Sequence, residues 1–380
     1  MKLSWQTSAA VWMFTGVLGG CGRHEVTAMP GGVTHLAQSR TLNVYQWADY
    51  FDPDVLKDFE HDTGIKVNYS TFDSQDMMEA KMLTGSSGYD VVDVTSYAID
   101  RLIQAGVFRK LDRTQLRNWG NLDADLMRVL EQFDAQNQYA VGYQWGTTGI
   151  AYNARALKAA FPEGPVDSWA LVFDPRYAAR AAPCGISFNS DRMEIIGNAL
   201  IAGRADPNHP TPSQLAAADL ALQRIRPHVR RIDGPSQISD MSTGSMCLFV
   251  TAGTNVVIAR RRSKDAGVDV ELRYLIPKEG AVSWFDVLAI PFDAPHLAEA
   301  YEFLDYLLRP EIAARNANFT GSATMNRAAL PFVDASLRDD KMFYPDIAAR
   351  AALKPLHSRD NDQAREETRL WTRFQFNSAK

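Results

Sequence analysis

Between residues 41 and 106 the apolar period switches repeatedly between two residues and about 3.6, and this restricts the segment to parallel strands covered by helices. Leu42-Asn43-Val44-Tyr45 alternates apolar and polar, as a strand does. Asp52-Pro53 then opens a helix, with the acid as N-cap and proline in the first turn. Val55, Leu56 and Phe59 mark its apolar side, and Gly64 stops it. Ile65 to Tyr69 reads as a second strand, and Ser74 caps a helix through Met82. Tyr89 to Val94 is a third strand, followed by a short helix over Ile99 to Ala105. Ligands of such sheets bind beyond the carboxyl ends of the strands. That places Trp47, Ala48, Asp49, Tyr50 and Thr95 on the candidate binding edge.

The remainder of the 380 residues has room for a second α/β unit. Tyr139 to Asn153, rich in aromatics, Gly and Thr, reads as an extended segment crossing into it. Ser283 to Ile290 is an apolar strand that carries one acid, Asp286. Leu297, Tyr301, Leu304 and Leu308 repeat at helical spacing. The 10% aromatic content excludes a disordered chain, and a net charge of −5 argues against a nucleic-acid coat.

The N-terminus reads as a leader. Lys2 is followed by a largely apolar region of ten residues, Ala9 to Leu18, too short to span a bilayer. Leu18-Gly19-Gly20-Cys21 resembles a bacterial lipobox, which implies cleavage before Cys21 and lipidation of its thiol; a plain cleavage site is the alternative. Residues 1–20 are then a signal peptide and 21–40 a tether. Cys184 and Cys247 remain, either as a disulfide in an oxidising compartment or as two buried thiols.

No hydrolase, zinc-protease or phosphate-loop motif occurs, and the seven His residues show no helical metal spacing. The distinctive residues are acids among aromatics. Asp49 between Trp47 and Tyr50 can hold an ammonium by a charge-assisted hydrogen bond and cation–π contact. A loop or cap role for Asp49 and core packing for Trp47 are the alternatives. Trp284-Phe285-Asp286 places a charge in an apolar strand, which requires a salt bridge or a ligand. Glu194 opens a helix, where an acid also suits the dipole. Aromatic neighbours suit organic cations better than hard metal ions.

Several collinear segments resemble bacterial periplasmic polyamine-binding proteins of ABC importers, the putrescine type most closely. These are Tyr45-Gln46-Trp47-Ala48-Asp49-Tyr50, Thr147-Thr148-Gly149-Ile150-Ala151-Tyr152-Asn153, Ile276-Pro277-Lys278-Glu279-Gly280, Trp284-Phe285-Asp286-Val287 and Tyr306-Leu307-Leu308-Arg309-Pro310. The resemblance runs from about residue 41 to the C-terminus. It implies an α/β, two-lobed type II periplasmic binding protein fold, each lobe a mostly parallel sheet flanked by helices, with hinge crossings. Lobe 1 is expected at 41–145 plus 257–312, and lobe 2 at 146–256 plus 313–380. It also implies a Cys184–Cys247 disulfide, no cofactor, no catalysis, and a monomer that meets an inner-membrane ABC permease and touches the membrane only through its lipid. A membrane signalling partner, with the protein as sensor, is the alternative.

The ligand set implied by the resemblance is Trp47, Asp49, Tyr50, Thr95, Glu194, Asn255, Trp284 and Asp286. Thr95 and Ala48 stand where relatives have Ser. Ala252 replaces a Trp, Asn255 an Asp and Ser322 a Tyr. An Asp-to-Asn change removes a charge-assisted contact, on the order of tenfold in affinity. A mono-acylated diamine is therefore expected to suit Asn255 better than putrescine does.

Overall fold

The computed structural model describes residues 40–164, 167–345 and 347–376. The expected signal peptide, Cys21 and nearly all of the tether lie outside them. The described residues form one compact unit.

The first three strands are β1 (Thr41–Trp47), β2 (Lys66–Phe72) and β3 (Val91–Thr95). Helices α1 (Pro53–Thr63), α2 (Gln75–Leu83) and α3 (Ser96–Gln104) follow them in turn. Capping chemistry sets the helix ends. Asp52 accepts from the Asp54 N–H, Pro53 occupies the first turn, and Gly64 closes α1 in the left-handed region. Ser74 accepts from the Met77 N–H at the start of α2. The apolar side of α1 buries Phe59 completely, with ring centroids 5.0 Å from Phe303 and 5.1 Å from Tyr306 on the helix Leu297–Leu307. Burial of such a side chain stabilises by about 1.5–3 kcal/mol.

The later strands are β4 (Ala140–Asn153), β5 (Ile186–Phe188), β6 (Arg231–Ile232), β7 (Leu248–Ala252), β8 (Leu272–Leu275) and β9 (Val282–Ala289), with the short β10 (Ala323–Thr324) and β11 (Lys354–Pro355). The main order is β2-β1-β3-β9-β4-β7-β5-β6. Parallel pairs occupy both flanks: β1 with β2 and β3, and β5 with β6 and β7. Between them β9 and β4 run antiparallel to each other, β9 to β3 and β4 to β7. The described strands thus join in one mixed sheet, and the expected crossing segment is its central 14-residue strand β4. All eight residues of β9 are buried, as suits a strand covered on both faces. Two of the expected lobe boundaries, 256/257 and 312/313, fall inside the continuous helices Gly253–Asp265 and Pro310–Thr320. No helix among the described residues is long and apolar enough to cross a membrane.

Cys184 and Cys247 are joined in a disulfide. They precede β5 and β7, which pair in register from Ile186 and Leu248, so the two Cα atoms come within 5.5 Å. The bond closes a sequence separation of 63 residues. Replacing both cysteines by serine is expected to lower the unfolding free energy by about 4 kcal/mol in the chain-entropy account. Equilibrium denaturation of the Cys184→Ser, Cys247→Ser protein checks this, and an unchanged midpoint contradicts it.

Candidate ligand-binding site

The parallel flank and the antiparallel centre meet at one acid. β1 and β3 end side by side, which brings Trp47, Asp49, Tyr50 and Thr95 to one edge. Strand β9 runs against β3 with Asp286 opposite Thr95. The Thr95 hydroxyl donates to Asp286 Oδ1 at 2.9 Å, and the Tyr50 hydroxyl donates to Oδ2 at 2.5 Å. Thr95 stands at the N-cap position of α3 but makes no side-chain cap there, because its hydroxyl serves Asp286. Tyr143 fixes the loop by donating to the Tyr50 carbonyl at 2.8 Å. Burial pushes the Asp286 carboxyl up to about 6, against the two hydroxyl bonds that favour its ionised form. Asp93, wholly buried two residues before Thr95, is likewise pushed up by burial and by Asp286.

A second acid, Glu194, is bonded farther along by Thr148 of β4. Trp284 is two residues from Asp286 and shares its face of β9. Gly146 on β4 lies opposite Trp284, and a Cβ there would stand 2.5 Å from the indole ring. Glycine therefore lets the ring lie against the strand. Two residues beyond, Thr148 donates its hydroxyl to Glu194 Oε2 at 2.7 Å, and Asn189 donates its amide to the same oxygen at 2.7 Å. Gln144, opposite Asp286, and Thr148 are four strand positions apart, roughly 13 Å at the usual rise. The two acids therefore flank the Trp284 ring. Glu194 lies in the first turn of the helix Arg192–Ala202. Burial, then the neighbouring Asp191, pushes its carboxyl up to about 8.

All eight sequence-derived candidates line one cleft of about 540 Å³. Their environments differ. The Trp47 ring packs on Phe72 at 4.5 Å. Asp49 adopts φ 56°, keeps 65% of its side chain exposed, and faces Arg262 at 3.4 Å. It is thus a partly neutralised acid at the margin of the cleft. Asn255 donates one amide hydrogen to the Thr251 hydroxyl at 2.9 Å, which leaves the other hydrogen and the carbonyl oxygen for a ligand. Ser322 lines a separate cavity of about 10 Å³ with Thr147 and Phe343.

Tyr97, Asp191 and Arg262 also line the cleft, and the sequence did not single them out. Asp191 reads as an ordinary helix cap, and the partner that distinguishes it is 94 residues away. Asp191, Glu194 and Asp286 accept hydrogen bonds, and none of them makes an ion pair among the described residues. Two other acids of the lining are paired, Glu79 with Arg101 and Asp49 with Arg262. No group of three His, Cys, Asp or Glu side chains among the described residues could hold a metal ion.

Carboxyls without an ion-pair partner beside an indole ring mark this cleft, although Arg101, Arg192, Arg262 and Arg359 also line it. The profile of the bacterial extracellular solute-binding proteins matches residues 54–343. The chain belongs to this family. It is a family of solute-binding transport proteins and not of enzymes. The putrescine-binding periplasmic protein PotF of Escherichia coli is 38% identical over 343 residues, which cover 90% of this chain and 92% of that one. SpuD of Pseudomonas aeruginosa, also a putrescine-binding periplasmic protein, is 39% identical over 344 residues, covering 90% and 94%. Among solved structures, a spermidine/putrescine ABC transporter protein of Listeria monocytogenes superposes with a TM-score of 0.79 at 31% identity, over 89% of this chain and 99% of that one. The fold is that of the type II periplasmic binding proteins.

Proposed function

We propose that the protein captures a short diamine of the putrescine type in this cleft and delivers it to the permease of an ABC importer. The observation that carries the reading is the set of carboxyls at the two sides of the Trp284 ring, which no cation of the described residues neutralises. A diamine brings two ammonium groups, and their desolvation is offset only by carboxylates. The methylenes between them find the indole face. Tyr50, Thr95, Thr148 and Asn189 hold the acids from behind. The names of the relatives support putrescine as ligand and the periplasm as location.

A mono-acylated diamine is the alternative ligand. Asn255 gives one amide hydrogen to Thr251 and keeps a second hydrogen and its carbonyl oxygen, so it can meet either an ammonium or an acyl carbonyl. The two lobes, with limits near 41–145 plus 257–312 and 146–256 plus 313–380, close on the ligand about β4 and β9. The mature chain is a monomer tethered by lipid on Cys21.

Uptake of labelled putrescine by cells that carry or lack the full chain tests delivery. Saturable uptake that depends on the chain is expected. Equal uptake in both would overturn the transport role.

A further inference from the structure

Resting on the diamine reading of this cleft, we infer that Asp191 supplies the second carboxylate at the Glu194 side, where Asn255 offers only a neutral amide, and that Tyr97 holds Asp191 in place from across the cleft. Asp191 lies in the loop that enters the helix Arg192–Ala202, three residues before Glu194. Its Oδ1 accepts from the Glu194 N–H at 3.0 Å, and its Oδ2 accepts from the Tyr97 hydroxyl at 2.8 Å. A carboxylate oxygen has two lone-pair directions, so each oxygen keeps one for a ligand. Glu194, Asp191, Tyr97 and Asn255 all line the same cavity.

The Tyr97 bond distinguishes Asp191 from an ordinary cap. Tyr97 lies in the first turn of α3, which follows β3 on the parallel flank of β1 and β2. Asp191 follows β5, on the opposite flank beyond β4. The bond therefore joins the two flanks over the cavity. A helix cap needs no such partner, because its N–H donors come from its own helix. The next turn of α3 is also held, with Ser358, which follows β11, donating to Asp100 at 2.6 Å. The charged groups facing Asp191 are Asp76, Glu194 and Arg192. Arg192 is drawn off toward the Ala364 carbonyl and the Thr368 hydroxyl. Asp191 and Glu194 thus form a carboxylate pair without an ion-pair partner among the described residues, which an ammonium would satisfy.

Asp191→Asn isolates the charge, since Asn caps helices as well as Asp does. Titration calorimetry of putrescine at pH 8 on the wild type, on Asp191→Asn, and on the double variant Asp191→Asn with Asn255→Asp reads the result. The single variant is expected to bind about tenfold to a hundredfold more weakly, with a melting temperature at or above that of the wild type. The carboxylate added at position 255 is expected to recover most of the loss. Tyr97→Phe is expected to weaken binding in the wild type and to add little in the Asp191→Asn background, because it acts through Asp191. Wild-type affinity in Asp191→Asn overturns the inference. So does a weakened Asp191→Asn that the second carboxylate does not rescue, which would leave Asp191 a cap only. A wild-type protein that binds no diamine overturns the diamine reading and the inference together.

Discussion

Asp286→Asn is expected to weaken putrescine binding by roughly 30- to 3000-fold, the range for leaving one member of a desolvated charge pair without its partner. Asp286 is 4% exposed and is gripped on both oxygens by Tyr50 and Thr95. Its position is therefore fixed before the ligand arrives, and little ordering is required on binding. Asn keeps the shape and removes the charge. Stability should move the other way. A carboxyl whose folded pKa of about 6 lies above its unfolded value favours folding only while it is protonated, and it costs stability as pH rises. The empty Asp286→Asn protein should thus melt at or above the wild type at pH 8. Calorimetric titration beside a thermal melt separates the two effects. Retained affinity would remove Asp286 from the ligand contacts.

Putrescine affinity is expected to fall as the medium is acidified, with a proton released on binding near neutrality. An ammonium requires ionised acids, and burial holds the empty-site carboxyls near 6 for Asp286 and near 8 for Glu194. At pH 7 Glu194 is mostly protonated and Asp286 mostly ionised, so capture of a dication displaces about one proton. At pH 5 both acids are protonated, and the affinity is weaker than at pH 7 by roughly 100- to 1000-fold. The amines stay charged throughout, since their pKa values lie near 10 as for lysine. Titrations in two buffers of different ionisation heat should differ in apparent enthalpy at pH 7. A flat affinity from pH 5 to pH 8 would mean that these acids do not meet the ligand's charge.

The first flank of the fold was legible because its punctuation is local. Asp52, Pro53, Gly64 and Ser74 act within one helical turn, and each forms the cap its residue type suggests. Asp286 was legible because a charge in an apolar strand needs a partner. Its partners were less so. Thr95 sits at a helix start, where threonine ordinarily caps, and only the register of β3 against β9 turns its hydroxyl to Asp286. The single mixed sheet was not legible, since a two-residue period identifies a strand without naming its neighbours. Two of the lobe limits taken from the resemblance, 256/257 and 312/313, fall inside helices. Asp191 with Tyr97 and Arg262 with Asp49 are contacts between residues 94 and 213 positions apart, which no local pattern announces.

The central claim is that this cleft holds a dicationic amine, and calorimetric titration of the unfolded, stripped and refolded protein with putrescine tests it most directly. The expected result is saturable binding at one site per chain with a dissociation constant of about 1 μM or tighter, some 8 kcal/mol. Absence of saturable heat up to millimolar putrescine, from protein whose circular dichroism shows it folded, would contradict it.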